Sequence, residues 1–237
     1  MIDFILLAVL VIVTWCVAAE GTWGAATVFL SVLFAGLITM NFFEPLAAAI
    51  EGSVPAMAAY SDVLAYIGLF TALVFGLRAA GEYIMPTYVE VHGGLHNSVR
   101  WLLAACTGYL VVAILMTSLH TAPLPRSFFG FNPGPGPNGK TFFGMNPDIQ
   151  WLAFNQYISQ RSLSGSGRPF DAVAFELIPG QSTTMTTFSS FPIRYATRRS
   201  MLSTGGTVTS AAPPGPPAGG APPPTLTPSG KSRTDAF

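Results

Sequence analysis

Charge is what this sequence has least of. Of 237 residues only 9% are Asp, Glu, Lys or Arg, against about 25% in a soluble domain. So few charges do not solvate a surface of this size, and lipid is the alternative solvent. The positive charges are also unevenly placed: Arg78 and Arg100 are the only basic residues before Arg126. The formal net charge is zero, so no basic field recruits nucleic acid. Cysteine is nearly missing as well. Cys16 and Cys106 both lie in apolar runs and read as small buried hydrophobes. Two cysteines make neither a disulfide framework nor a zinc site. The opening Met1-Ile2-Asp3 lacks the positive segment of a signal peptide, which predicts a retained anchor.

What is abundant is apolar surface: half the residues are hydrophobic and the mean hydropathy is +0.49. Four runs carry it, at about 4–19, 23–43, 63–80 and 101–119. Each approaches the ~20 residues that cross a bilayer. Glu20-Gly21-Thr22 reads as a short turn after the first run, and Glu44-Pro45 as a stop after the second. The connector 46–61, with Gly52, Pro55 and an Ala-rich part, suggests a short interfacial helix. Asp62 suits the N-cap or first turn of the third span. Arg78 and Glu82, four residues apart, share a face where they can pair. A polar loop is predicted over 83–98. Trp101 suits the interfacial aromatic belt, and Pro123 and Pro125 close the fourth run. A soluble alternative would need polar outer helices to cover four apolar ones, and the chain supplies no candidates.

An even number of spans puts both ends of the membrane unit on one side. Arg78, Arg100, His92 and His96 gather around 81–100, whereas the 46–61 connector has no Lys or Arg. The positive-inside rule then makes 81–100 cytoplasmic and both termini extracytoplasmic.

Beyond Pro123 the composition changes. The hexapeptide FFGFNP at 128–133 returns as FFGMNP at 142–147. These read as two Asn-Pro turns that dock aromatic rings. Residues 148–163 read as an amphipathic helix, with Trp151, Phe154, Tyr157 and Ile158 on one stripe and Asn155, Gln156, Gln160 and Arg161 around it. Residues 172–178 and 183–195 are strand-like or irregular. From 203 to 237 the chain is mostly Pro, Gly, Ala, Ser and Thr, a composition that predicts disorder. The expected architecture is an all-α membrane protein. It comprises a four-span domain (1–122), a small extracytoplasmic domain (123–202) and a disordered Pro/Ala/Gly-rich tail (203–237).

Candidate sites are few. Gly68, Ala72, Gly76 and Ala80 form a small-residue ladder at four-residue spacing on the third span. Such a face lets a second helix backbone approach closely in lipid. Gly24, Gly36, Ala104 and Gly108 are candidate partner faces. His92 and His96 have helical metal-ligand spacing, but Gly93-Gly94 between them argues against a helix, and a third ligand is missing. His120, at the end of the fourth span, is expected at the interface. The spans carry almost no mid-membrane acid, Arg or His of the kind that marks a proton relay. Thr14, Ser31, Asn41, Thr71 and Thr107 are the polar candidates for any path through them. No phosphate loop, catalytic triad or metal motif appears. Asp171 and Glu176 read as solvated single acids. The expectation is a protein without catalytic residues, cofactor or metal.

Several features of residues 1–120 resemble the colicin V production protein family (CvpA-like). They are Asp3 directly before the first span, the Gly21-containing turn, and Gly76-Leu77-Arg78-Ala79-Ala80-Gly81. The stretch Gly94-Leu95-His96-Asn97-Ser98-Val99-Arg100 then leads into a span containing Gly108. The chain departs from the family pattern at Val99, where an acid is usual. The resemblance implies a non-enzymatic, four-span bacterial inner-membrane protein linked to colicin V production or export, or to envelope homeostasis. Its expected partners are the lipid bilayer, a second copy of the chain, or an envelope protein. The alternative from the residues alone is a small channel or transporter subunit.

Overall fold

The computed structural model describes residues 1–84, 93–124 and 142–160, together with 174–175, 184–185, 191–192 and 195. Its main elements are helices: α1 (Ile2–Ala19), α2 (Gly21–Ser53), α3 (Ser61–Ile84), α4 (Gly93–Thr121) and α5 (Pro147–Gln160). A 3₁₀ turn, Pro55–Met57, joins α2 to α3. Ala174–Phe175 and Thr184–Met185 form a two-residue antiparallel ladder. The FFGFNP copy at 128–133, Asp171, Glu176 and the 203–237 tail lie outside the described residues.

The first four helices are each long and apolar enough to cross a membrane. α1 packs chiefly on α4, and α2 on α3 and α4. Only Glu20 separates α1 from α2. Gly21 takes a φ of +82° there, a left-handed conformation that glycine adopts without the Cβ penalty. The Arg78 guanidinium then ties the far end of α3 back to this turn, 2.7 Å from Glu20 Oε1 and 3.1 Å from Glu82 Oε1.

Two expected boundaries are corrected. α2 does not stop at Glu44-Pro45. It continues through Pro45 to Ser53, so the Ala-rich connector is its last turns rather than a separate helix. Phe43 and Ala47, on either side of the proline, are fully buried. That packing outweighs the one backbone hydrogen bond proline cannot make. At 33 residues the helix is about 50 Å long, well beyond a ~30 Å hydrocarbon core. Gly93-Gly94 likewise does not break a helix but forms the first turn of α4, so the polar loop is shorter than 83–98.

The core lies between α2, α3, α4 and α5. Val32, Met40, Phe43, Tyr66, Ala104, Ile114, Trp151 and Leu152 belong to one buried cluster, joined by Phe191 and Tyr195. Phe43 makes edge contacts with Tyr66 (5.3 Å) and Phe191 (6.1 Å). A second cluster joins Ile2 and Leu6 of α1 to Val112 and Met116 of α4, capped by Phe142. The polar groups buried here mostly satisfy their own helix. Ser31, Thr107 and Thr117 each donate to the carbonyl four residues back, at 2.8–2.9 Å. In lipid there is no water to take those donors.

The cysteines were expected to be buried, but both are exposed. On a membrane helix the outward face meets acyl chains, so a small apolar side chain is stable there too.

Candidate functional site

The chemistry of this chain concentrates where α5 meets the spans. The segment before α5 reverses sharply: Phe142, Phe143 and Asn146 have φ of 48°, 54° and 48°, and Gly144 has 86°. Asn146 tolerates this region better than most residues, and Pro147 then starts the helix with its φ already set. Phe142 is buried between α1 and α4, while Phe143 stacks edge-on against Phe4 at 6.0 Å. The FFGMNP copy thus docks its first ring, which is the turn role expected of it.

α5 buries a different face from the one the apolar stripe suggests. Trp151, Leu152, Asn155 and Gln156 are buried, and Phe154 and Tyr157 are exposed. The expected stripe is therefore split, with Trp151 inside, Phe154 and Tyr157 outside, and two of the amides expected around it inside. Here the neighbours are membrane helices, so outward aromatics meet an apolar or interfacial medium and amides find partners inside. Asn155 Nδ2 donates to the Trp151 carbonyl at 2.8 Å.

His120 does not point outward from the end of the fourth span. It is 2% exposed, with Nε2 2.8 Å from Asp148 Oδ2 in a pair whose two side chains are each only 3% exposed. The last turn of α4 supplies the imidazole and the first turn of α5 the carboxylate. An acid at a helix N-terminus and a His at a C-terminus also complement the two helix dipoles. Asp62 is buried as well, at 1% exposure, in the first turn of α3. Sequence reading missed the His120–Asp148 pair because its partners are 28 residues apart and no spacing rule links them.

Against the middle of α4, at residues 105–113, lies an open cavity of about 550 Å³ between α1, α2, α4 and α5. Leu10, Phe29, Leu33, Trp151 and Phe154 are among the residues of its wall. Tyr109 Oη donates to Gln150 Oε1 at 2.8 Å, and Gln150 Nε2 donates to the Met145 carbonyl at 2.8 Å.

The small-residue ladder faces outward. Gly68, Ala72, Gly76 and Ala80 are all exposed, and a Cβ built on Gly68 or Gly76 would meet nothing within 4 Å. Two of the expected partner faces are occupied within the chain. A Cβ on Gly36 would sit 2.8 Å from Ile114 and from Trp151, and one on Gly108 would sit 2.9 Å from the Leu10 carbonyl. These two glycines serve contacts with α4, α5 and α1 rather than the ladder.

The other residues of the resemblance fall at helix ends. Asp3 is in the first turn of α1. Gly94 and Leu95 lie in the first turn of α4, with their side chains outside the described residues. Arg100 Nη2 donates to Asn97 Oδ1 at 2.8 Å, and its guanidinium lies 5.7 Å from the Trp101 ring. Trp101 in turn meets Trp15 edge-on at 6.1 Å. His96 pairs with Thr22, whose Oγ1 lies 2.8 Å from His96 Nδ1 and donates to the His96 carbonyl at 2.9 Å. That contact fastens the start of α2 to the start of α4. Among the described residues no group of three or more His, Cys, Asp or Glu is placed to hold a metal ion. Two of the polar candidates for a path face outward: Thr71 is exposed, and so is Asn41, whose amide donates to the Leu37 carbonyl.

The fold is that of a multi-pass membrane protein: four long apolar helices with a fifth, shorter helix packed on α4. No family model, no curated protein and no solved structure matches the chain.

Proposed function

We propose that this chain is a non-enzymatic inner-membrane scaffold of the CvpA-like type. It serves colicin V production or export, or envelope homeostasis, by docking another membrane helix on α3. One observation carries the docking part. Only 11% of the apolar window of α3 is buried, against 44% for α2 and 50% for α4, and its outward face holds the Gly68–Ala72–Gly76–Ala80 ladder. A helix with small residues on an uncovered face allows a second backbone to approach closely, which is how helices associate in lipid. A second copy of the chain is the proposed partner, with an envelope protein as the other. The CvpA-like assignment itself rests on the motif residues around Asp3, Gly21, Arg100 and Gly108.

The test uses cysteine crosslinking in native membranes. Cys16 and Cys106 are replaced by Ser, and a cysteine is placed at Ala72 or, as a control, at Phe75. Dimers crosslinked through position 72 and not through 75 support the reading, and their absence at 72 overturns it. For the cellular role, the chain is expressed in a colicin V producer lacking its own production protein. Restored toxin release is expected, and unchanged release rejects the assignment.

The second reading, a small channel or transporter subunit, draws on the buried His120, Asp148 and Asp62. All three sit in terminal helix turns, where buried ionisable residues would mark the mouth of an ion or substrate route. Flux into proteoliposomes that His120→Gln abolishes would favour it over the scaffold.

A further inference from the structure

The cavity beside α5 is built for a hydrocarbon chain. We propose that it binds one acyl chain of a membrane phospholipid, held between α1, α2, α4 and α5. Three observations carry this, none of them dependent on the scaffold reading, because the ladder of α3 takes no part in the cavity.

The first is chemistry. The side chains in the wall that carry polar atoms are Tyr109, Gln150, Cys106 and Trp151, the last with its indole nitrogen buried. The Tyr109 hydroxyl donates to Gln150, and the Gln150 amide donates to the Met145 carbonyl, each at 2.8 Å. With these donors satisfied inside the protein, what the wall offers an occupant is carbon, from Leu10, Phe29, Leu33 and Phe154. A polar solute entering here would lose its hydration without replacement. An apolar chain loses nothing.

The second is size. At the ~30 Å³ that a water-sized group occupies, about 550 Å³ holds roughly 18 methylene-sized groups. That is on the order of one acyl chain of ordinary length. One chain would lie along the open cavity while the other stays in the bilayer. The volume also lies within the ~300–1,000 Å³ of ligand sites, which are mostly apolar with a few placed polar groups.

The third is access. Ala105 and Cys106 line the cavity and are exposed on the outward side of α4. Both lie within the apolar window of a candidate span, so the mouth opens toward acyl chains rather than water. Trp151 also lines the cavity and is otherwise buried, at 3% exposure, with its ring near Gly36. An occupant therefore lies against an indole that is largely covered by protein.

The geometry supplies its own probe. In the full-length chain Trp15, Trp23 and Trp101 are replaced by Phe, leaving Trp151 as the only indole. The protein is placed in nanodiscs of phosphatidylcholine and phosphatidylglycerol. A rising fraction of the phospholipid carries bromine on one acyl chain, a contact quencher of indole fluorescence. Brominated and plain phospholipid compete for the site on nearly equal terms, so the expected result is Trp151 quenching in proportion to the brominated fraction, as for a single exchanging site. Filling the mouth with Ala105→Phe should remove most of that quenching. Cys106→Phe, at the neighbouring exposed position, should do the same and serves if Ala105→Phe misfolds. No quenching of Trp151 in fully brominated phospholipid, or quenching unchanged by both blocking variants, would overturn the site. Brominated free fatty acid in the same nanodiscs is the second arm. Quenching by fatty acid but not by phospholipid would overturn the choice of ligand.

Discussion

Gly108 is the position where adding one methyl group should do most harm. A Cβ built there lies 2.5 Å from Thr14 Oγ1 and 2.9 Å from the Leu10 carbonyl oxygen. The threonine hydroxyl can rotate away; the carbonyl cannot, because it belongs to the backbone of α1. Ordinary carbon-to-oxygen contacts are about 3.3–3.6 Å, so α1 would have to move out by about half an ångström. Forcing a methyl into a packed site costs about 1–3 kcal/mol. Replacing a helical glycine by alanine returns up to ~1 kcal/mol of helix propensity, so a net loss remains. Gly36→Ala should lose less than Gly108→Ala. One of its close contacts is the movable end of Ile114, and the other is the rigid ring of Trp151, both at 2.8 Å. Gly76→Ala should be neutral or slightly stabilising, since nothing lies within 4 Å of its Cβ. The assay is the thermal midpoint of the three variants in one detergent, read as loss of the monodisperse peak. A kilocalorie corresponds to roughly 2–4 °C for a chain of this size, so Gly108→Ala should fall by several degrees. If Gly108→Ala melted with the parent while Gly76→Ala fell, the packing of α1 on α4 described above would be refuted.

His120→Ala and Asp148→Asn should each destabilise the docking of α5, and a double-mutant cycle should give a coupling on the order of 1.5–3 kcal/mol, as for a buried charge-assisted hydrogen bond. Additive single effects would reject the pair. Trp151→Ala removes a buried ring that packs against Gly36 and Ile114 and should cost about 3–5 kcal/mol. Protease cleavage after Phe154 or Tyr157 should then become easy, and unchanged resistance would contradict the docking of α5. The pair of Arg78 with Glu20 is partly exposed, at 41% and 30%, so Glu20→Gln should change the thermal midpoint little, in line with the ~0–1 kcal/mol of solvent-screened pairs. A large drop would mean that the α1–α2 turn depends on that charge.

The sequence alone determined that this chain belongs in a membrane and the approximate position of its four spans, though not where the second ends or the fourth begins. Both follow from the solvent: a run of about twenty residues without charge is stable among acyl chains wherever its neighbours are. It also determined local pairings that a single helix fixes, such as Arg78 with Glu82, and the docking turn at 142–147. What needed tertiary structure was everything set by a neighbouring helix. Pro45 reads as a stop until the burial of Phe43 and Ala47 keeps α2 going through it. His120 reads as interfacial until Asp148 arrives from a helix 28 residues away. The small-residue faces look alike in sequence, yet Gly36 and Gly108 are filled from within the chain and Gly76 is left open. The face that α5 buries is the sharpest case. Its amides point inward and Phe154 and Tyr157 outward, because hydrophobic periodicity says which residues share a face, and only the surroundings decide whether water, lipid or protein lies against it.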